Sequence, residues 1–301
     1  MDFRLQTFLT LCETGSYTKT AEQLHITQPA VSQHIKFLEK EYGAKLFVYA
    51  ARRLQLTEKG KQLRVYTVSL RSNSRRIEEL MRRGEAAGTR LEFGATLTVG
   101  EYVMPPVLEK YLKENPDGSF CMKVENTDSL LRKLEQGEIR FALIEGNFDR
   151  RKYDSRLFSQ EPFVAVCAGK HPLAAGVHEL REILGERLIT REPGSGTRNV
   201  LETVLYEHNL SMEDFPKEVE VGNTNAMKQL AAEGLGVAFL YREAARNELE
   251  SGMLRQVRFR DLTVWREFNF VFLRGDIFQE ESLRFFDFCR EHSQSMGIGR
   301  G

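Results

Sequence analysis

The sequence lacks the features that mark several classes of protein. Its four cysteines lie far apart and form no CxxC pair, which argues against a zinc ribbon and against a disulfide framework. No apolar run approaches the roughly 20 residues needed to cross a bilayer, and the N-terminus has no basic stretch followed by an apolar signal core. We therefore expect a cytoplasmic protein with thiols kept reduced and no membrane partner.

Motifs for catalysis are also missing. The six histidines show neither metal-ligand spacing nor an evident carboxylate partner. The stretch "GSGTR" lacks the Gly-Lys-Ser/Thr ending of a P-loop, and Ser195 lies in P-G-S-G-T rather than in G-x-S-x-G. The sequence predicts a protein that is not an enzyme and that holds no metal or cofactor.

The charges are distributed unevenly although the net charge is zero. Residues 1–90 contain 16 Lys and Arg against 9 Asp and Glu, whereas residues 91–301 contain 27 against 34. At 301 residues the chain is long enough for two or three folding units. The basic N-terminal part is consistent with a polyanionic partner, although a basic surface can also be merely solvated.

Three helical patterns precede the first strand. Apolar residues recur at helical spacing in Phe3–Thr14, Ser16 can cap a short second helix, and Thr27 can cap a third helix that ends at Gly43. Helix, short helix, tight turn and helix is the order of a helix-turn-helix unit. The third helix would then enter the major groove of DNA.

The outer face of this third helix, "TQPAVSQHIKFLEKEYG", carries hydrogen-bonding side chains. Gln28 and Gln33 can each offer a paired donor and acceptor to adenine, and Ser32 can donate or accept. Lys36 suits a phosphate. The predicted inner face consists of three apolar residues: Val31, Ile35 and Leu38. After this helix, two short apolar runs at 46–48 and 54–56 flank a tip that carries Arg52, which predicts a hairpin wing beside it.

The stretch "SYTKTAEQLHITQPAVSQHIKFLEKEYGAKLF", followed by "RRLQLTEKG", resembles the N-terminal signature of LysR-type transcriptional regulators. Where that family usually has an Arg two residues after the Leu-Phe, this chain has Tyr49, so the remaining wing arginines must supply the backbone contact. The predicted DNA-binding residues are Thr27, Gln28, Pro29, Ser32, Gln33, Lys36, Arg52 and Arg53.

A long helix follows, at 58–83, with Thr57 as its cap. Six residues recur at alternating three- and four-residue steps and predict a dimerisation seam: Leu63, Tyr66, Leu70, Asn73, Ile77 and Leu80. The alternative is a helix that lies on its own domain. In the family that the sequence resembles, this linker helix pairs between subunits. Residues 84–88 are interpreted as a hinge.

From residue 90 onward, strands alternate with helices, which predicts a parallel sheet with crossovers. The predicted strands are 91–96, 120–125, 141–145, 163–168, 188–191, 219–221, 237–241 and 268–273. The predicted helices are 102–113, 129–136, 197–208, 225–233 and 280–292. The resemblance implies two α/β lobes of the periplasmic-binding-protein type (type 2), with crossings near Glu161 and Trp265.

The predicted fold class is thus α/β with an all-α winged helix-turn-helix domain in front of a bilobal effector domain. The domain boundaries that we predict are 1–58 for DNA binding, 59–88 for the linker and hinge, and 89–301 for the effector domain. Within the effector domain, lobe I comprises 89–161 and 266–301, and lobe II comprises 162–265.

Three loops place small polar side chains at helix starts beyond strands, where open α/β sheets bind ligands: "ATLTVGEY", "EPGSGTRN" and "VGNTNAM". Such groups can hold a small anion, although each can also be an ordinary cap. Arg198 would add a charge-assisted bond, and Glu145 would favour a ligand that also carries an amine or hydroxyl. The predicted effector-binding residues are Thr96, Thr98, Ser129, Glu145, Ser195, Thr197, Arg198 and Asn225.

The predicted function is sequence-specific DNA binding that regulates transcription in response to a small anionic or bifunctional metabolite. The expected partners are double-stranded DNA with an imperfect inverted repeat in promoters, the effector, RNA polymerase, and further copies of the chain in a dimer or tetramer. The alternative is an architectural DNA-binding dimer whose C-terminal domain binds protein partners.

Overall fold

The computed structural model describes residues 1–50, 53–83 and 91–295. The chain divides into two compact units. The first unit comprises Met1–Ala86, Glu135–Glu138 and Leu273–Phe278, and the second unit comprises Ala87–Leu134, Ile139–Phe272 and Gln279–Gly301. Among the described helices, none combines the length and apolarity that a membrane span requires.

The first unit begins with three short helices, α1 (Phe3–Thr14), α2 (Tyr17–Leu24) and α3 (Gln28–Glu41). Their ends follow the predicted signals. Ser16 Oγ accepts from the Lys19 N–H at the start of α2, and α1 ends at Gly15, whose φ of 63° is the left-handed region that glycine favours. The core of the three helices includes Phe8, which is fully buried. The order of elements is that of the predicted helix-turn-helix.

A two-stranded hairpin and a long helix complete this unit. Strands β1 (Phe47–Ala50) and β2 (Arg53–Leu56) pair antiparallel. Helix α4 (Glu58–Arg83) has the predicted bounds, and Thr57 Oγ1 accepts from the Gly60 N–H at 2.9 Å. The predicted hinge, 84–88, lies outside the described residues.

Nine strands of the second unit form one sheet within the described residues. The strands are β3 (Leu91–Ala95), β4 (Phe120–Val124), β5 (Ala142–Ile144), β6 (Tyr153–Ala168), β7 (Arg187–Arg191), β8 (Lys217–Val221), β9 (Val237–Tyr241), β10 (Leu254–Val257) and β11 (Val264–Leu273). Their order is β4-β3-β5-β11-β6-β9-β7-β8, and β10 pairs with β6.

The prediction of a parallel sheet is only partly right. Strand β3 runs parallel to β4 and β5, and β7 runs parallel to β8 and β9. Strands β6 and β11 run antiparallel to their partners β9, β10 and β5. The sheet is mixed because these two strands connect two separately wound parallel halves.

Strands β6 and β11 are also longer than predicted. The sequence places their starts at 163 and 268, but they begin at Tyr153 and Val264. Residues 154–157 of β6 are half-buried or exposed, so no apolar run marks this segment. The two strands contribute to both lobes, and the predicted crossings at Glu161 and Trp265 fall within them.

Helices cover the faces of the sheet. They are α5 (Met104–Glu114), α6 (Thr127–Gln136), α7 (Gly196–Glu207), α8 (Thr224–Ala232), α9 (Arg246–Ser251) and α10 (Gln279–Ser295). The short α9 and strand β10 were not predicted. A π-helical turn, Val99–Val103, leads into α5. Stacked aromatic rings fill the core of lobe I, where Phe141 lies 5.1 Å from Phe93 and 4.2 Å from Phe270 between ring centroids.

Candidate functional site

Helix α3 exposes a polar ridge, formed by Gln28, Gln33 and Lys36, opposite a buried apolar face. Thr27 caps the helix, since its Oγ1 accepts from the Ala30 N–H at 3.4 Å. The inward residues are almost completely buried: Val31, Ile35 and Leu38. A helix with one face fixed in this way must expose the opposite face. The predicted inner and outer faces of α3 are therefore those that the structure shows.

The outer ridge is free to contact a partner. Gln28, Gln33 and Lys36 are exposed, and within the described chain their side chains make no hydrogen bond or ion pair. Pro29 is exposed in the first turn, whereas Ser32 is half-buried. Amide groups without internal partners at the N-terminal end of such a helix have the chemistry needed to contact base edges.

The wing presents one described arginine and one aromatic residue. Arg53 begins β2, is exposed, and pairs in register with Ala50. Tyr49 is 74% exposed on β1, at the position where the resembled family usually has arginine. The predicted contact residue Arg52 lies outside the described residues. The described part of the wing thus offers one cation toward a phosphate backbone.

Helix α4 carries an exposed apolar stripe that differs from the predicted seam. Tyr66, Leu70, Ile77 and Met81 are exposed and recur at helical spacing. Asn73 does not belong to the stripe: it is buried, and its Nδ2 donates to the Gly275 carbonyl within the first unit at 3.1 Å. Leu63 is half-buried, and the side chain of Leu80 lies outside the described residues. The stripe therefore includes Met81, which the heptad pattern did not select.

In the second unit, loops from both lobes converge on the carboxyl group of Glu145. This residue directly follows β5 and is 1% exposed. Its Oε1 accepts hydrogen bonds from Thr197 Oγ1 at 2.7 Å and from Thr98 Oγ1 at 3.3 Å. Its backbone carbonyl accepts from Thr127 Oγ1 at 3.1 Å. Three threonines at helix or turn starts thus surround one buried acid.

Burial sets the charge state of this acid. Loss of solvation raises the pKa of Glu145 to about 7, although hydrogen bonds from Thr197 and Thr98 and the charge of Arg191 oppose the rise. The carboxyl group of Glu145 therefore changes between its protonated and its ionised form near neutral pH. A group of this kind, buried in a cleft beside several hydroxyls, is typical of functional sites.

The two lobes approach closely beside Glu145. Gly146 has a φ of 86°, and a Cβ at this position would lie 2.9 Å from Gly196 Cα. A Cβ at Gly196 would clash with the Glu145 carbonyl oxygen. Glycine is required at both positions because the backbones of β5 and α7 meet there. A small pocket of about 160 Å³ opens next to this contact and is lined by residues that include Ser195 and Asn199.

The predicted cation Arg198 does not face Glu145. Its guanidinium pairs with Glu202 at 2.8 Å, with Glu220 at 3.0 Å and with Glu218 at 3.4 Å. It also donates to the Arg191 carbonyl at 3.0 Å. Three carboxylates of its own lobe hold this side chain, which lines the neighbouring small pocket.

Arg191, which the sequence analysis did not select, is the buried cation near Glu145. It is 1% exposed, and its Nε and Nη2 donate to the Glu192 carboxylate at 2.8 and 3.0 Å. Its Nη1 donates to Thr224 Oγ1 at 3.1 Å. The signal that singled out Glu145, a charged residue at the carboxyl end of a buried apolar strand, applies equally to Arg191.

The remaining predicted residues are dispersed. Thr96 and Ser195 are buried: the Thr96 N–H donates to the Leu143 carbonyl at 3.0 Å, and Ser195 lines the small pocket together with Thr127. Ser129 Oγ donates to a carboxylate oxygen of Glu125, and Ser129 accordingly acts within lobe I. Asn225 is exposed, because the cap of α8 is the residue two positions earlier and the buried position is Thr224. The structure therefore brings together Thr96, Thr98, Glu145, Ser195 and Thr197, but not Ser129, Arg198 or Asn225.

Comparisons with known proteins agree with these two units. Residues 3–61 match the family model described as "Bacterial regulatory helix-turn-helix protein, lysR family", and residues 84–294 match "LysR substrate binding domain". Over 290 residues the chain is 28% identical to the uncharacterized HTH-type transcriptional regulator YeiE of Escherichia coli, covering 95% of this chain and 96% of that one.

Solved structures share the fold. The regulatory domain of CcmR from Synechocystis, in complex with 2-PG, superposes with a TM-score of 0.62 at 22% identity, covering 69% of this chain and 98% of that one. The effector-binding domain of QuiR, in complex with shikimate, superposes with a TM-score of 0.60 at 18% identity, covering 69% and 99%.

Proposed function

Since this chain belongs to the LysR family of DNA-binding transcriptional regulators with an effector-binding domain, we propose that it reads a specific promoter sequence under the control of a small metabolite. The observation that carries the proposal is the polar ridge of α3, which is exposed opposite Val31, Ile35 and Leu38 and makes no side-chain hydrogen bond or ion pair within the described chain. No covalent chemistry is part of this function.

The ridge reads bases, and its flanks hold the DNA backbone. Gln28 and Gln33 contact adenines in the major groove, with Ser32 as an ambivalent donor or acceptor. The backbone contacts come from the start of the helix, from its side and from the wing: Thr27, Pro29, Lys36, Arg52 and Arg53.

Two copies of the chain are needed to read an inverted repeat. The exposed stripe of α4, with Tyr66, Leu70 and Ile77, supports a dimer in which this helix pairs with its counterpart. Such a dimer presents two α3 helices to two half-sites. A tetramer that bends the DNA and a contact with RNA polymerase are further parts of the proposal.

The effector binds between the lobes of the second unit, beside Glu145. Two structural neighbours hold 2-PG and shikimate in the corresponding kind of domain, which supports a small-molecule ligand. Because Arg198 is held by three carboxylates, we favour the bifunctional ligand over a simple anion. The ligand regulates the protein only if it binds two arrangements of the dimer with different affinity.

The DNA-reading part is tested with Gln33→Ala. Loss of a bidentate base contact should cost about 1–3 kcal/mol at the cognate site and relax discrimination at one base pair. Lys36→Ala is the matched control, and it should weaken binding to all sequences and reduce the salt dependence. Selection of binding sites from a pool of random DNA duplexes measures the base preference of both variants. An unchanged base preference in Gln33→Ala would contradict the proposed orientation of α3.

The effector part is tested with Thr98→Ala and Thr197→Ala. Both should abolish the response of DNA binding to the effector while leaving DNA binding itself intact. The ligand for this test is identified by a thermal-shift assay with a broad metabolite panel. An effector present at a hundred times its Kd stabilises the folded protein by about 2.7 kcal/mol and therefore raises its melting temperature. If no compound of the panel shifts the melting temperature, the result would favour the alternative of an architectural dimer whose C-terminal domain binds protein partners.

A further inference from the structure

Among the described residues of the second unit, three polar atoms at the ends of β3, β5 and β9 are buried without a hydrogen-bond partner. They are Glu145 Oε2, Thr96 Oγ1 and Tyr241 Oη, on residues that are 1%, 2% and 0% exposed. A buried polar atom without a partner costs free energy, and most such atoms in proteins are satisfied. A cluster of them marks a position that a polar molecule fills.

The three residues come from both lobes and converge at strand ends. Thr96 follows β3 and Glu145 follows β5, and these strands pair in parallel with Ala95 opposite Leu143. Tyr241 ends β9 of the other lobe. Burial, and next the charge of Glu145, raise the pKa of the Tyr241 hydroxyl, so the two groups lie within electrostatic range of each other.

The chain's own carboxylate already fills the place that an anion would take. Helix N-termini attract anions through free N–H groups, and α7 begins at Gly196 in this cleft. Glu145 Oε1 accepts from Thr197 Oγ1 at this N-terminus, and the Thr197 backbone N–H also contacts the carboxyl group. An anionic group would have to displace Glu145 to bind there.

The cations in this region are compensated. Arg191 is held by Glu192 through two hydrogen bonds, and Arg198 is held by three glutamates. The other charged groups that act on the cluster are Glu161 on β6 and Arg266 on β11, and Arg266 pairs with Glu207 at 3.4 Å. Glu161 Oε1 also lacks a hydrogen-bond partner among the described residues, so the charges without a close counterion in this region are acidic, namely those of Glu145 and Glu161.

We propose that the effector presents a protonated nitrogen to Glu145 Oε2, with the hydroxyls of Thr96 and Tyr241 hydrogen-bonded to the same end of the ligand. This assignment rests on the proposed effector function and names the chemistry of one end of the ligand. The ammonium donates to the ionised carboxylate, so binding to a protonated Glu145 releases that proton to solvent. An acidic group at the other end of a bifunctional ligand lies away from Glu145.

The test uses the full chain and three two-carbon probes of matched size. Ethanolamine carries an ammonium and a hydroxyl, glycolate carries a carboxylate and a hydroxyl, and glycine carries both charges. Calorimetric titration is performed at pH 6, 7 and 8 in buffers free of amines. Ethanolamine and glycine should bind, and their affinity should rise about tenfold from pH 6 to pH 8, because the ionised fraction of a group with a pKa of about 7 rises by that factor.

Two variants make the test specific. Glu145→Gln keeps the size of the side chain and should lose amine binding and its pH dependence. Tyr241→Phe, which lacks only the hydroxyl, should bind amines more weakly but keep the pH dependence. Glu243→Gln, at a half-buried glutamate on the short 3-10 turn after β9, is the matched control and should bind as the wild type does. Circular dichroism and DNA binding verify that each variant is folded.

Several results would overturn the assignment. These are preferential binding of glycolate, affinity that falls with rising pH, equal amine binding by Glu145→Gln, or no binding of either amine at millimolar concentration. The proposed function is measured separately, by the response of DNA binding to the metabolite panel. An anionic effector that changes DNA binding would preserve the proposed function and overturn this assignment.

Discussion

Replacement of Glu145 by glutamine should stabilise the second unit at alkaline pH and change its stability little near pH 5. Burial raises the pKa of this carboxyl from its ordinary value of 4.5 to about 7. Between these values the folded protein holds a proton that the unfolded chain has released. The contribution of Glu145 to the free energy of unfolding is therefore at its full value below pH 4.5, and it is lost as the pH rises through 7.

The size of the effect follows from the difference between the two pKa values. A difference of this size, from 4.5 to about 7, corresponds to about 3 kcal/mol at roughly 1.4 kcal/mol per unit. Glutamine is neutral at every pH and carries no such penalty. The stability of the variant relative to the wild type should thus increase by about 2–3 kcal/mol from pH 5 to pH 8.5, with most of the change below pH 7.

The single tryptophan of the chain makes the measurement specific to this unit. Trp265 lies on β11, and its fluorescence reports urea-induced unfolding of the second unit. Glu250→Gln, at an exposed position on α9, is the control and should show no comparable dependence on pH. A stability difference between Glu145→Gln and wild type that stays constant from pH 5 to pH 8.5 would refute the assigned charge state.

Three further changes test other contacts. Gly196→Ala places a Cβ in a clash with the Glu145 carbonyl oxygen, so it should lower the stability of the second unit by about 1–3 kcal/mol in urea unfolding; an unchanged midpoint would argue against the close approach of the lobes. Arg191→Leu leaves the Glu192 carboxylate without its partner and should cost about 3 kcal/mol in the same assay, whereas retained stability would show that the pair is dispensable. Leu70→Glu places a charge in the exposed stripe of α4 and should convert the proposed dimer to a monomer in light scattering; a dimer of unchanged mass would assign the interface elsewhere.

Local signals in the sequence located most of the first unit. Ser16, Thr27 and Thr57 accept hydrogen bonds from the first turns of α2, α3 and α4, as their side chains predict. These caps depend on neighbours within three residues, so they can be recognised without knowledge of the fold. His25 is the exception, since it ends α2 with a φ of 53°, a conformation that is uncommon for residues other than glycine.

Contacts between residues that are distant in the sequence could not be predicted in the same way. Asn73 fits the spacing of a coiled-coil seam, yet it donates to the Gly275 carbonyl, about two hundred residues away along the chain. The first half of β6 contains polar residues and lacks an apolar run, so only pairing with neighbouring strands defines it. Both errors arise because a residue's partner is determined by contacts that are distant in sequence.

The assignment of the cleft cation depends on the same kind of distant contact. Strand β8 has the sequence "KEVEV", and because strand side chains alternate, Glu218 and Glu220 lie on one face. Strand β7 pairs with β8 so that Thr190 lies opposite Glu220, and the two glutamates meet Arg198 at the start of α7. The alternation of polar and apolar residues in β8 was visible in the sequence, but the pairing of β8 with β7 was not. Since Glu218 and Glu220 of β8 hold Arg198 within its own lobe, the charge preference that we propose for the cleft rests on the acid Glu145 and not on Arg198.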